Sequence, residues 1–354
     1  MSISKRGTEL PGGIYCPIAT FFLDTPGQEL DMETNIKHFE FLAKAGVAGV
    51  AVQGSTGESV ALTREEKKIM IRTAKEVFER IGNPGIIIAG TVGAQSTWEN
   101  VQLANDAAEA GADFILTLPP SYYAPAMTPD AIQAFYEDLA DQSPLPVIIY
   151  SYPSVVSGIN MDSDLVMRLA RHPNIAGVKH TDHDVGRIAR ECRDKNYGSP
   201  FTVLGGATDY LLGTVAYGGD GAITGISNVA PRATIKVYEL AKAGKFAEAR
   251  KLAGEVSKGE WVMGRNKFTG AKYSIQFANN YPASAAKTRK PVPEVEPSGR
   301  IHVESEVTPL AAIERQLEKE GFVGEILSTK SNGTTNGIKL NGLTQKIKET
   351  VNSL

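Results

Sequence analysis

Eight short apolar runs, each separated from the next by an amphipathic stretch, set the strongest limit on how this chain folds. They are Ile14–Phe21, Val47–Gln53, Ile86–Thr91, Asp113–Leu118, Val147–Tyr150, Ile175–Lys179, Phe201–Leu204 and Gly221–Thr224. Runs of about four to eight residues are strand-sized, and strands joined through helices must pair in parallel by right-handed crossovers. Eight such units close into a barrel. The competing arrangement, an open doubly wound sheet, would carry G-x-G-x-x-G after its first strand; neither that motif nor a P-loop is present. The expected class is therefore α/β, a (β/α)8 TIM barrel with a C-terminal helical extension.

Helix signals fall between the runs. Thr63-x-x-Glu66 and Ser96-x-x-Glu99 read as capping boxes, and Thr128-Pro129 and Asp162 read as helix starts. The segments Ala45-Gly46-Val47-Ala48-Gly49, Ala110-Gly111-Ala112-Asp113-Phe114 and Tyr217-Gly218-Gly219-Asp220-Gly221 each put glycine between helix and strand, where a left-handed residue ends a helix. Beyond Thr224, Pro231–Ala243, Phe246–Val262 and Pro309–Gly321 read as helices, with a connector marked by Pro282, Pro291, Pro293 and Pro297. The expected organisation is a barrel over 1–230, helices packed on it over 231–328, and a polar, glycine-rich tail over 329–354 with a weak helix at Leu343–Ser353.

Composition excludes several classes of function. Lys+Arg 37 against Asp+Glu 40 gives a net charge of −3, too balanced for a protein that holds nucleic acid by charge. No apolar stretch approaches the ~20 residues that span a bilayer, and the start, Met1 to Gly7 followed by Glu9, carries no apolar signal core and does not read as a transit peptide. Cys16 and Cys192 stand in segments without zinc or redox spacing, which excludes a disulfide framework and makes a reducing cytoplasm the expected home.

In a barrel of this kind the carboxyl ends of the strands build the site. Lys179 ends the sixth run, so its amine is expected inside the barrel mouth. Burial there disfavours the ammonium form and leaves a lone pair that attacks a ketone to give a Schiff base. Taken alone, a strand-end lysine reaching water along its own stem is the preferred explanation of the residue. Tyr150 ends the neighbouring fifth run, near enough for its hydroxyl to move protons. Gly54-Ser55-Thr56-Gly57 offers hydroxyls and unhindered N–H groups in one turn, suited to a small carboxylate. The cluster His180-Thr181-Asp182-His183-Asp184 offers metal-type ligands and an alternative, metal-assisted enolate chemistry. Adjacent loop ligands seldom converge without a distant third residue, so the expectation is a solvated loop, no metal and no cofactor.

Together, Gly54-Ser55-Thr56-Gly57-Glu58, Tyr150-Ser151-Tyr152-Pro153-Ser154 and Gly177-Val178-Lys179, in that order, resemble the dihydrodipicolinate synthase and N-acetylneuraminate lyase family. The resemblance runs from about Gly12 to about Lys267. It includes Leu118-Pro119-Pro120-Ser121-Tyr122-Tyr123, the turn Gly205-Gly206-Ala207, and Gly219-Asp220-Gly221-Ala222-Ile223. Members of that family are eight-stranded barrels, usually tetramers, that bind pyruvate or a 2-keto acid as a lysine imine and make or break the adjacent carbon–carbon bond. The resemblance implies Lys179 as imine lysine, Tyr150 as proton shuttle, and Thr56 and Tyr123 as further catalytic residues, with Tyr123 lent to a neighbouring subunit. Ser55, Thr56, Gly57, Gly206 and Ile223 are the implied substrate-binding set.

Two departures narrow the choice. Dihydrodipicolinate synthases carry an arginine shortly after the proline of the tyrosine motif, where it holds the second substrate's carboxylate; here Pro153-Ser154-Val155-Val156-Ser157-Gly158 contains none. Neuraminate lyases place acidic and polar groups after the seventh strand's glycine, which Ala207, Thr208 and Asp209 match only in part. The pattern is most similar to the eukaryotic, particularly fungal, branch of 2-keto-3-deoxy-sugar-acid aldolases and 4-hydroxy-2-oxoglutarate aldolases. The implied activity is a metal-independent class I aldolase that cleaves a 2-keto-3-deoxy sugar acid, such as a 3-deoxy-hexulosonate, to pyruvate and a hydroxyaldehyde. It would act as a homo-oligomer, tetramer or dimer, with a small-molecule 2-keto acid as its partner. The alternatives are a 4-hydroxy-2-oxoglutarate aldolase, an imine-forming dehydratase, a dihydrodipicolinate synthase, or a catalytically silent binding or scaffold barrel.

Overall fold

The structure is a computed structural model that describes residues 8–326; the expected tail over 329–354, its helix at Leu343–Ser353 and the first seven residues lie outside the described residues. All eight expected strands form: β1 Gly13–Pro17, β2 Gly49–Val52, β3 Ile86–Gly90, β4 Phe114–Thr117, β5 Val147–Ser151, β6 Ile175–His180, β7 Thr202–Gly205 and β8 Gly221–Ile223. They close into one barrel in chain order. Every neighbouring pair is parallel, including β1 with β8. The carboxyl ends therefore share one face, as the sequence requires of a barrel whose strands are all joined by crossovers.

The helices between strands are α1 Met32–Ala45, α2 Arg64–Ile81, α3 Thr97–Ala110, α4 Pro129–Gln142, α5 Ser163–Leu169, α6 Val185–Cys192, α7 Leu211–Ala216 and, after β8, α8 Pro231–Lys242. Their starts are set by side-chain acceptors. Thr63 and Glu66 form the expected reciprocal box on α2, while Thr128 and Asp162 cap α4 and α5. At α3 only half of the box forms: Ser96 caps Glu99, but the Glu99 carboxylate accepts from Gln95 N instead of Ser96 N. Gly46 and Gly111 end α1 and α3 in the left-handed conformation. The aspartates that follow the helix-to-strand glycines have a second use. Asp113 accepts from Ile87 N on β3 and Asp220 from Val203 N on β7, so each pins the strand before it in the barrel.

Two apolar layers result from strand alternation. Val50, Ile87, Ile115, Ile149, Val178 and Val203 face outward into the layer beneath the helices. Tyr15, Ile88, Leu116, Ile148, Tyr150, Leu204 and Ile223 fill the barrel interior. Each such fully buried aliphatic side chain contributes about 1.5–3 kcal/mol. The first apolar run extends past its strand: Ile18 to Phe22 stay buried but leave the barrel, and Phe22 bridges Leu30 in antiparallel fashion.

Beyond the barrel strands, α8 packs on β1, α1 and α7, which gives it the eighth place in the helical ring. Helices α9 Phe246–Arg265, α10 Lys267–Asn279 and α11 Pro297–Lys319 then pack on one another. Helix α10 was not expected, because Asn266, Gly270 and the closely spaced aromatics give it no clear apolar stripe. Helix α11 begins twelve residues earlier than expected, at Pro297 rather than Pro309. Pro309 reads as a helix start, since proline suits the first turn and costs about 3 kcal/mol in a helix interior. Here Val303, Val307 and Leu310, buried on either side of it, hold the helix together across that loss. Among the described residues no helix is long and apolar enough to cross a membrane.

Candidate active site

The pairing of β5 with β6 carries a one-residue irregularity. Val147 lies opposite Ile175, but Ile148 lies opposite Gly177, which leaves Ala176 as the extra residue. From there upward Tyr150 faces Lys179 rather than Val178. A bulge of this kind re-aims the side chains that follow it. Lys179 consequently sits between Tyr150 and Leu204, both interior residues, and points into the barrel. It is 4% exposed. Its Nζ donates to Tyr150 Oη at 3.1 Å and lies 4.1 Å from the centre of the Tyr150 ring. A buried amine in contact with a phenol hydroxyl suits imine chemistry: the amine supplies the nucleophile, and the phenol oxygen moves protons next to the carbon it attacks.

The turn expected as the carboxylate cradle follows β2. Gly57 N and Glu58 N bond to Gly54 O and Ser55 O, which commits two N–H groups of the expected cradle to the turn itself. Among the described residues the hydroxyls of Ser55 and Thr56 make no hydrogen bond, and both residues are half-buried, so these two hydroxyls remain for a ligand. Thr20 Oγ1 donates to Gly57 O at 2.8 Å and braces the turn from β1's side.

Ile223 lies in the barrel interior at the end of β8. Gly206 follows β7, and its N–H is taken by Tyr210 Oη at 2.9 Å, while Tyr210 Oη donates to His180 O at 2.6 Å. A Cβ at Gly206 would sit 2.2 Å from Thr181 Oγ1 and 2.3 Å from His180 O, so only glycine allows this approach. Thr181 Oγ1 is buried there without a partner. Neither Tyr210 nor Thr181 carries a signal in the sequence, since both lie in polar loop segments whose closeness depends on β6 and β7 being neighbours.

Tyr123 is placed differently. It lies with Tyr122 on the outer loop after β4, the two rings 5.0 Å apart edge to face, and Tyr123 is 73% exposed. Gln95 Oε1 accepts from Ser121 N and Tyr122 N, both at 2.9 Å, and holds the loop in place. Among the described residues no hydrogen bond joins Tyr123 to Lys179. A cavity of about 410 Å³ opens beside Ser55, lined by Val60, Val92, Leu118, Val155, Val156 and Phe268 among others, with no lysine or arginine in its lining. A slightly larger hollow of about 460 Å³ is bounded by Arg168, Arg171, Arg190 and Arg193 at the ends of α5 and α6 and includes no strand-end residue.

The expected solvated loop forms over residues 181–184, with His183 exposed, but His180 and the Asp182 carboxylate are not solvated. His180 belongs to β6, is fully buried and faces outward against α6. Its Nδ1 is 2.8 Å from Asp182 Oδ2 and its Nε2 is 2.7 Å from Glu191 Oε2. Ser151, next to Tyr150, donates to the same Asp182 oxygen at 2.7 Å, and Arg187 does so at 2.9 Å. Burial alone would lower the His180 pKa, but Glu191 and Asp182 outweigh it and raise the imidazole to about 9. Burial likewise works against the charge of Asp182 and is overcome by its bonds to His180 and Ser151, which pull the carboxyl below its usual range. Glu191 is raised, with its burial exceeding the attraction of His180. The cluster thus serves as an ionic tie behind the Lys179–Tyr150 pair. Among the described residues no three His, Cys, Asp or Glu side chains are arranged to hold a metal.

Comparison with known proteins gives the chain a family and relatives. The sequence model described as the dihydrodipicolinate synthetase family matches residues 11–309. The "Probable 4-hydroxy-2-oxoglutarate aldolase, mitochondrial" of Emericella nidulans is 35% identical over 309 residues, covering 87% of this chain and 97% of that protein. The L-threo-3-deoxy-hexylosonate aldolase of Hypocrea jecorina is 36% identical over 314 residues, covering 87% and 98%. A solved structure of a dihydrodipicolinate synthase family protein from Coccidioides immitis superposes with a TM-score of 0.78 at 35% identity, covering 88% of this chain and 99% of that one.

The raised His180 pKa fixes the sign of a pH effect. Protonated His180 contributes stability fully below its ordinary value of ~6.5 and loses it as pH rises through about 9. Urea unfolding of the wild type should show stability falling between neutral pH and pH about 10. His180→Gln leaves Glu191 without its cation and Asp182 with Arg187 alone; it should lose about 3 kcal/mol at pH 7 and show a flatter pH dependence. A variant that keeps the wild-type slope would remove the ionic tie from the account.

Proposed function

This chain belongs to the dihydrodipicolinate synthetase family, and we propose that it is a class I aldolase that cleaves a 2-keto-3-deoxy sugar acid to pyruvate and a hydroxyaldehyde. The observation that carries this reading is the buried contact of 3.1 Å between Lys179 Nζ and Tyr150 Oη at the mouth of the barrel. The Lys179 lone pair attacks the C2 carbonyl, Tyr150 gives its proton to the departing hydroxyl, water leaves, and a protonated imine forms. Tyr150 takes the proton of the C4 hydroxyl as the C3–C4 bond breaks, and that bond's electron pair moves into the imine to give an enamine. Protonation at C3 and hydrolysis release pyruvate and return Lys179. Ser55 and Thr56 hold the substrate carboxylate throughout.

The aldehyde half is assigned by charge. Val155 and Val156 occupy the stretch where a carboxylate-binding arginine is missing, and they line a cavity without lysine or arginine. A second carboxylate would lose its bidentate partner there. This favours a neutral hydroxyaldehyde over aspartate semialdehyde, and a 3-deoxy sugar acid over 4-hydroxy-2-oxoglutarate. The cytoplasm is the compartment we propose, from the two free cysteines; the mitochondrial relative keeps the other compartment as the alternative.

We also propose a homo-oligomer in which Tyr123 completes the proton relay of a neighbouring subunit. Val60, Trp98, Tyr122 and Tyr123 are all at least 70% exposed, an apolar and aromatic surface suited to burial against a second copy.

With pyruvate as donor, kcat/KM for glyceraldehyde should exceed that for aspartate semialdehyde by about tenfold or more, equivalent to ~1.4 kcal/mol in the transition state. Tyr150→Phe should lower kcat by about a hundredfold or more. A preference for the semialdehyde would overturn the substrate assignment, and a fully active Tyr150→Phe would remove the proton shuttle. For Tyr123, mixtures of Lys179→Ala and Tyr123→Phe subunits should regain activity that neither variant has alone. Demonstrated subunit exchange without recovery, or a fully active Tyr123→Phe enzyme, would exclude the role across the interface.

A further inference from the structure

Glu58 closes the turn that carries Ser55 and Thr56, and its backbone is left-handed, with φ 54°. A residue with a side chain holds that conformation only when its surroundings impose it. Here the surroundings come from the far end of the chain. Lys272, within α10, is fully buried; its Nζ donates to Glu58 Oε1 at 2.8 Å and to Thr20 O at 2.8 Å. Thr20 is the residue whose hydroxyl braces Gly57. Arg289 N donates to the second Glu58 oxygen at 2.8 Å, and the Phe22 ring lies 4.7 Å from the lysine Nζ and helps to exclude water.

We propose that Lys272 is a positioning residue for substrate binding: by fixing Glu58 and Thr20 it sets the Ser55 and Thr56 hydroxyls to receive the carboxylate of the 2-oxo acid. The C-terminal helices are then part of the binding site and not only a support for the barrel. The inference rests on the aldolase reading above. Without Lys272, the Glu58 carboxylate is a buried charge lacking its cation, and turning toward water relieves it at the expense of the turn it belongs to. Lys179 and Tyr150 are set by the pairing of β5 with β6, on separate elements. The effect should therefore appear in substrate binding and leave the chemical step alone.

The test is steady-state cleavage of a 2-keto-3-deoxy acid by the full-length chain, followed by pyruvate release, for wild type and Lys272→Met. The variant should raise KM about tenfold or more while kcat stays within about threefold, the pattern of lost ground-state binding. Should Lys272→Met fail to fold, the double variant Lys272→Met with Glu58→Gln removes both buried charges and should fold; its KM should still rise by about fivefold or more. A folded variant with wild-type KM, or one that loses kcat at unchanged KM, would overturn the role of Lys272 while the aldolase reading stands. A wild-type chain that releases no pyruvate from any 2-keto-3-deoxy acid would overturn both.

Discussion

The Lys179 amine meets Tyr150 Oη because β6 carries one more residue than β5 at the start of their pairing. With Ala176 regularly paired instead of bulged, a straight register would set Tyr150 against Val178 and turn Lys179 toward the outer layer. The bulge brings the amine inward, and Gly177 beside it lets β6 stay close to β7: a Cβ there would sit 2.4 Å from Thr202 O. The rest of the site is supported from this point. Ser151 and His180, the next residues on the two strands, face outward into the tie with Asp182, Glu191 and Arg187. The same two strands thus present reactive groups on the interior face and ionic restraint on the exterior face, as strand alternation requires.

A buried amine and a buried ion cluster on adjacent residues place opposing demands on the protein. The Lys179 amine meets only a phenol hydroxyl in the interior, whereas His180 keeps its proton because Glu191 and Asp182 hold it. The barrel wall separates the two environments, since His180 points outward and Lys179 inward. That separation allows the ionic tie to stiffen the strands without setting a carboxylate beside the Lys179 amine; among the described residues, no ion pair to Lys179 competes with its contact to Tyr150.

The barrel was legible because helix-joined apolar runs of strand length leave few other solutions, and the placement of Lys179 and Tyr150 because strand ends face one rim. Register was not legible. In Ile175-Ala176-Gly177-Val178-Lys179 the glycine hints at a bulge or a close approach without saying which, so the register that sets Lys179 against Tyr150 is fixed only by the pairing. His180 to Asp184 resembles a solvated loop because five polar or charged residues follow in a row, yet the strand continues through His180 and α6 covers it. Lys272 and Glu58 lie 214 residues apart, and nothing local links them. The helix that carries Lys272 lacks the apolar periodicity that would have shown it.

The central claim is an imine at Lys179, and its most direct measurement is reduction with borohydride in the presence of pyruvate, followed by peptide mass mapping. The account predicts the mass of one reduced pyruvyl group on the peptide containing Lys179, unaffected by chelators. Labelling at a different lysine, or no labelling together with activity that a chelator removes and a divalent metal restores, would contradict it.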